Sequence, residues 1–217
     1  MKKIFLIVLP LVFFYSCTEE DFKEIVDSKI TAKEKISDVV SAARSGFAAD
    51  AKLAAIYGRE VDINGEIDLL NTSSINAFVY VVQSNTTQSN EFYVPVFGAG
   101  PVQSPINFTT MLSFVNDTSA GKIISTALGT LATVSIDESV NYNDSPATIN
   151  TALQNGGTIF MNQHTDAKID LLLLPSKSID TTSVSNSADW VVNFHSSSAS
   201  LVLWINTQTG NVIKISQ

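Results

Sequence analysis

The sequence predicts an α+β fold built as two helix-on-antiparallel-sheet repeats. Three observations lead there. An apolar stripe at helical spacing runs through Ile36, Val39, Val40, Ala43 and Phe47. Short Val/Ile/Phe-rich runs follow, separated by Ser, Asn and Gly clusters, as in a sheet-rich chain. The whole series then recurs a little over a hundred residues later.

The elements can be justified in order. Met1-Lys2-Lys3 is a basic start, and Ile4 to Tyr15 is apolar, interrupted by Pro10. A spanning helix needs roughly 20 apolar residues, so this run is too short to cross a bilayer. With Ser16 as the small residue before the break, residues 1–16 read as a signal peptide. Cys17 is the one cysteine of the chain, which excludes an internal disulfide. Residues 17–30 then form an acidic tether, with Thr18, Glu19, Glu20 and Asp21 at its head.

Residues 31–104 form the first unit. Thr31 and Glu34 have the spacing of a capping box, and Gly46 suits a left-handed C-cap, so the helix is expected over 32–45. A first strand is expected over 52–63, with Gly58 as a bulge. Asn64-Gly65 turns the chain, and 66–70 is expected to return beside that strand. "AFVYVVQ" (77–83) is a strand, and "EFYVPVF" (91–97) is another, which Pro95 assigns to an edge or a bulge.

Residues 105–140 belong to neither unit. Ile123, Ile124, Ala127, Leu128 and Leu131 predict an inserted helix there.

Residues 141–217 form the second unit. Ser145-Pro146 opens a helix, Ile149, Ala152 and Leu153 give its stripe, and Asn155-Gly156-Gly157 stops it. Strands are expected over 168–174, 190–195, 201–206 and 211–215, with Gly210 at a positive-φ position of the last turn. Gly46 aligns with Gly156, "DAKL" from Asp50 with "DAKI" from Asp166, "FVYVVQS" from Phe78 with "WVVNFHS" from Trp190, and "GPV" from Gly100 with "GNV" from Gly210. Four pairings in the same order at nearly one offset predict an internal duplication.

Two resemblances rest on these residues. The apolar run, Ser16 and Cys17 resemble the lipobox of bacterial lipoproteins, although Phe14 stands where an aliphatic residue is usual, a Bacteroidota-type variation. That implies cleavage before Cys17, lipid on its sulfur and amine, and an outer-membrane location. Several acyl chains, at about 0.8 kcal/mol per buried methylene, anchor a protein stably where one does not. Glu19, Glu20 and Asp21 resemble a surface-export signal, the alternative being a periplasm-facing anchor.

The C-terminal stretch "DWVVNFHSSSASLVLWINTQTGNVIKI" resembles the PepSY-like domains, whose end reads as an aromatic strand and then Asp-x-x-Thr-Gly-x-Val. Trp190, Thr209, Gly210 and Val212 match, and Asn206 replaces the usual Asp. Tandem copies are also similar to the β-lactamase-inhibitor-like architecture, a helix pair on a concave sheet. The resemblance implies non-catalytic binding or inhibition in the cell envelope.

Composition narrows the classes further. Removal of the signal leaves 11 basic against 21 acidic residues. So acidic a chain has no electrostatic footprint for nucleic acid. No catalytic constellation is expected, and no cofactor. His164 with Asp166 is only a pair, whereas a metal centre wants three or more ligands. Asp62, Asn64 and Glu66 echo a calcium loop but lack its length, and a hairpin explains them. Asp137-Glu138 reads as solvated acid, and His195 as a solvent-facing strand residue. No serine sits in a nucleophile elbow. Trp190 is expected in the core.

Tyr80, Tyr93 and Trp204 are the candidate partner-binding residues, since strand aromatics commonly anchor partners. Trp204 is exposed unless its strand is buried on both faces. Two functions fit: a protein-binding or inhibitor-like module, or a surface glycan-binding lipoprotein using aromatic platforms.

Overall fold

The computed structural model describes residues 28–71, 76–86, 92–98, 135–136, 142–176, 188–207 and 209–216. The signal, Cys17, the Glu19–Asp21 run, the helix expected around 123–131 and Asp137-Glu138 lie outside them.

The fold is α+β. Its elements are β1 (Lys29–Ile30), α1 (Ile36–Gly46), β2 (Lys52–Arg59), β3 (Ile67–Asp68), β4 (Ala77–Gln83) and β5 (Val96–Gly98), then α2 (Ser145–Ala152), α3 (Thr158–Gln163), β6 (Lys168–Pro175), β7 (Ala188–His195), β8 (Ser200–Asn206) and β9 (Val212–Ser216). Seven strands make one antiparallel sheet in the order β5-β4-β2-β6-β7-β8-β9, and β1 pairs with β3 apart from it.

The two small sheets expected from sequence are thus one sheet. They join where β2 lies antiparallel to β6, with Ile56 opposite Leu173, Tyr57 opposite Leu172 and Gly58 opposite Leu171. On either side of that seam the order is the same: a helical segment, then strands added outward. Lys52 faces Gln83 across β2–β4, and Lys168 faces His195 across β6–β7. These equivalences keep the sequence offsets found between "DAKL" and "DAKI" and between the two aromatic strands.

One face of the sheet carries both helical segments. Val39, Val40 and Ala43 of α1, and Ile149 and Ala152 of α2, join Leu53, Ile56, Tyr80, Leu173, Trp190, Phe194 and Leu203 in a single apolar cluster. The stripe read from sequence is therefore the buried face of α1, as the 3.6-residue period requires. The second face is buried too, through Ala55, Val81, Leu172, Leu174, Val191 and Val202. Both faces being covered, the central strands are apolar on alternate and intervening positions alike.

Local chemistry explains where the boundaries depart from expectation. α1 begins at Ile36 rather than 32, because residues 32–35 form turns. Half of the capping box is present: Glu34 Oε2 accepts from the Thr31 amide at 3.4 Å. The other half, a Thr31 hydroxyl accepting from the Glu34 amide, does not form; that hydroxyl donates to Asp144 at 2.7 Å, a charge-assisted bond. Gly58 lies in regular pairing and not in a bulge; the Phe78 ring covers it, and a Cβ there would meet Cε1 at 2.7 Å. The irregularity falls between Leu53 and Ala55.

Glu60 adopts φ 48° and ends β2 short of residue 63. The Asp62–Glu66 turn forms, with the Glu66 carbonyl accepting from the Asp62 amide at 2.8 Å. The returning strand pairs with β1 rather than β2, Lys29 opposite Asp68. β4 spans the expected 77–83, and Pro95 does mark an edge: only 96–98 continue as strand, after a single bridge between Val82 and Tyr93.

Gly156 stops α2 at φ 116°, inside a π-turn over Leu153–Gly157. The chain then resumes as α3, which the sequence reading missed. The short helix buries only Phe160 fully, so it carries almost no periodic signal.

Gly210 sits at φ 71° with open space where a side chain would stand, and its amide donates to the Asn206 carbonyl at 2.9 Å. The cost of a side chain there is backbone strain, not a clash. Gly210→Val is expected to destabilise the protein by about 1–3 kcal/mol. Gly210→Asn should cost clearly less, because Asn tolerates the left-handed region. Urea titrations of both variants check this, and equal costs would contradict it.

Candidate functional site

Among the described residues a concavity runs along α1. It holds about 410 Å³ and is lined by Lys33, Ile36, Ser37, Val40, Ser41, Arg44, Leu53, Ile136 and Tyr142. That volume is in the range of small-ligand clefts. One helix stripe builds the first wall, since residues three and four apart share a face. Leu53 of β2 belongs to the floor. Ile136 is fixed there by its amide, which donates to the Leu53 carbonyl at 2.8 Å.

Tyr142 forms the far wall, and a dense clasp holds it. Lys33 Nζ donates to the Tyr142 carbonyl at 2.9 Å and lies 4.6 Å from the ring centroid, a cation–π geometry. Asp144 caps α2 by accepting from the Ser145 amide at 2.7 Å. The same carboxylate accepts from the Lys33 amide at 3.0 Å and the Thr31 hydroxyl at 2.7 Å. Ser145 Oγ accepts from the Ala32 amide at 3.0 Å. Trp190 Nε1 donates to the Asn143 carbonyl at 2.8 Å. Segments more than a hundred residues apart in sequence are thus riveted beside the groove. At its other end Arg44 Nε donates to the Ala51 carbonyl at 3.1 Å.

The predicted site residues are dispersed. Tyr80 is not a surface aromatic: it is fully buried, its hydroxyl donates to the Ala32 carbonyl at 2.9 Å, and burial pushes that hydroxyl's pKa up. Its strand faces α1, which removes it from any partner surface. Tyr93 is half-buried and stacked on Phe47 at 6.1 Å. Trp204 is also half-buried, on a strand covered on both faces, with its indole nitrogen in the interior. Trp190 is in the core, as expected. Cys17, Glu19, Glu20 and Asp21 lie outside the described residues.

His195 is not a freely solvated strand residue. Its Nε2 lies 3.3 Å from Asp170 Oδ2, within ion-pair reach but without hydrogen-bond alignment. Asp170 also accepts from the Tyr57 hydroxyl at 3.2 Å and the Glu60 amide at 2.9 Å. Burial first, and the Asp170 charge second, push the Tyr57 hydroxyl's pKa up. This cluster locks the β2–β6 seam. His164 lies against Phe160, with ring centroids 4.5 Å apart. No group of three or more metal-ligating side chains occurs among the described residues. The exposed ammonium of Lys29 pairs with the Asp62 loop, 2.8 Å from Asp62 and 3.6 Å from Glu66. Asp62 and Glu66 are thus engaged with Lys29 and with the turn's own amides, as a hairpin requires.

The sequence reading missed the groove. Lys33, Ser37, Ser41 and Arg44 do share a helical spacing, the one signal available. The opposite wall comes from Ile136 and Tyr142, which no local pattern links to α1.

Comparison with family models, curated proteins and solved structures gives no match. Among the described residues no helix is long and apolar enough to cross a membrane. Fold and groove together define an α+β protein with one continuous antiparallel sheet, both described helical segments on one face, and a cleft beside the first helix.

Proposed function

We propose that this chain is a non-catalytic cell-envelope lipoprotein, anchored in the outer membrane through lipid on Cys17, that acts as a protein-binding or inhibitor-like module. Its body is two PepSY-like helix-on-sheet repeats fused along β2–β6. The observation that carries the binding reading is the α1 groove, a preformed cleft with an apolar floor and polar walls.

Support for the duplication comes from a repeated turn. Asp50 accepts from the Asn85 amide at 3.0 Å, and Asp166 accepts from the Ser197 amide at 3.0 Å. The Thr86 amide donates to Ser84 Oγ, and the Ser198 amide to Ser196 Oγ. Both carboxylates are held below the usual range, Asp50 chiefly by the Ser84 hydroxyl and Asp166 chiefly by the Ser197 amide. The same acid thus ties the same strand-end turn in each half.

Two measurements test the proposal. Cells given a labelled fatty acid should label the wild type and not Cys17→Ser; label on the variant would remove the anchor. Crosslinking in intact envelopes should capture a protein neighbour, and Ser41→Glu, an exposed change at the groove wall, should abolish that capture. Capture unaffected by Ser41→Glu would remove the groove from the binding role. The second reading is a surface glycan-binding lipoprotein, for which half-exposed Tyr93 and Trp204 speak. Glycan-array binding that falls on Tyr93→Ala would favour it over the protein-binding module.

A further inference from the structure

We infer that the corner formed by β1, β3 and the Asp62–Glu66 turn seats on the lipid surface, with Ile63 and Leu70 entering the headgroup region. This goes beyond the binding module and rests on the Cys17 anchor. Among the described residues four large apolar side chains stand exposed, and two of them, Ile63 at 55% and Leu70 at 68%, belong to this one corner. An apolar residue exposed singly needs no explanation, but two on one short stretch beside a membrane anchor do. Leu70 stands where the chain enters the body. The Leu69 amide donates to the Ser28 carbonyl at 2.9 Å, and Ser28 is the first described residue after the acidic tether. Eleven residues lead from Cys17 to Ser28, at most about 40 Å of chain. That is about the diameter of a domain of this size. The corner is thus the part of the described body that the anchor holds nearest the bilayer.

The corner's polar groups engage one another. Asp68 accepts from the Ser28 hydroxyl at 2.7 Å and from the Leu70 amide at 3.0 Å. Asp62 accepts from the Asn64 amide at 2.8 Å and the Glu66 amide at 3.0 Å. The Lys29 ammonium pairs with Asp62 and Glu66, so the contact with lipid is apolar rather than an ionic grip on phosphate. The turn is also braced on the body. Gly65, at φ 76°, lies so close to Ser145 that a Cβ there would stand 2.6 Å from its carbonyl carbon. Ile63 and Leu70 are therefore carried on a fixed scaffold, and apolar side chains at an interface bind in proportion to the area they bury. The tether keeps the body at high local concentration over the bilayer, which lets so small a contact hold.

The test uses the full-length lipoprotein in phosphatidylcholine vesicles. With Cys17 lipidated, Ile63→Cys, Leu70→Cys and, on the outermost strand β9, Ile213→Cys each give a single free thiol for an environment-sensitive dye. Dyes at positions 63 and 70 should be quenched severalfold more than the dye at 213 by spin-labelled lipid, and severalfold less by iodide. About 0.5 M salt should leave that contrast in place, since the contact is apolar. Ile63→Ser combined with Leu70→Ser should leave fatty-acid labelling and the thermal midpoint unchanged, while the dye at 213 reports severalfold faster tumbling of the body. Equal quenching at all three positions, a contrast erased by salt, or tumbling indifferent to the double variant overturns the proposal. So does a photo-crosslinker at position 70 that captures protein and not lipid in intact envelopes. A chain without lipid on Cys17 overturns the seating together with the anchor, whereas a lipidated chain with position 70 in water overturns the seating alone.

Discussion

Trp190→Ala is expected to lower stability by about 3–5 kcal/mol, the range for deleting a large buried aromatic. Trp190 is fully buried, on β7 between Leu173 of β6 and Ile205 of β8, under the helical face. Alanine leaves a cavity there that a seven-stranded sheet cannot collapse around. It also removes the indole donor from the Asn143 carbonyl. Trp190→Phe should cost less, because most of the volume remains while the hydrogen bond, worth about 1 kcal/mol, is lost. With total stabilities of about 5–15 kcal/mol, the alanine variant stands near the edge of folding. Urea titration gives both values from the midpoint. A loss under about 1 kcal/mol for alanine would contradict the assignment of Trp190 to the core.

Asp144→Ala should cost about 2–4 kcal/mol. A helix cap alone contributes about 0.5–2 kcal/mol. Here one carboxylate also accepts from Lys33 and Thr31 of the other half, and bonds to a charged group contribute about 1.5–3 kcal/mol each before overlap. These bonds share one acceptor, so their losses are not additive. Asp144→Asn keeps an oxygen for the amides and should cost clearly less. Thr31→Ala added to Asp144→Ala should cost almost nothing further. If the double variant loses the full sum of the two single ones, the Thr31–Asp144 bond does not exist. Because Tyr142 stands two residues from this hub, the alanine variant should also loosen the groove wall.

Much of the fold was legible because two local signals are strong. Alternating and β-branched runs gave β4, β6, β7, β8 and β9 to within about two residues, the usual uncertainty of strand and helix ends. Turn glycines marked the last hairpin and the end of α2. What failed was non-local. That both faces of the sheet are buried cannot be read from one strand, so from sequence Tyr80 reads as a partner-binding residue and His195 as a solvent-facing one. The chain before α1 is tied by the Lys33 amide and the Thr31 hydroxyl to Asp144, an acceptor from far along the chain. The groove combines α1 with Ile136 and Tyr142, and no periodicity relates them. The resemblance between "DAKL" and "DAKI", by contrast, is local in sequence, and each aspartate accepts from an amide at a strand-end turn.

The β2–β6 seam has a consequence for how the chain comes to fold. The hydrogen bond across it from Tyr57 to Asp170 joins residues 113 apart in sequence. Closing so long a loop is entropically costly, and folding slows when stabilising pairs are this distant. As the polypeptide emerges from its N-terminus, β2 and β4 can associate early. The other edge of β2, at Ile56, Tyr57 and Gly58, must wait for Leu171 to Leu173. Until then it is a bare, mostly apolar strand edge, the kind that templates aggregation. An early ribosomal or translocation arrest before β6 should therefore yield an insoluble half-chain, while arrest after β7 should not. The safety of the nascent protein thus depends on timing, with its later half acting as guardian of the earlier one.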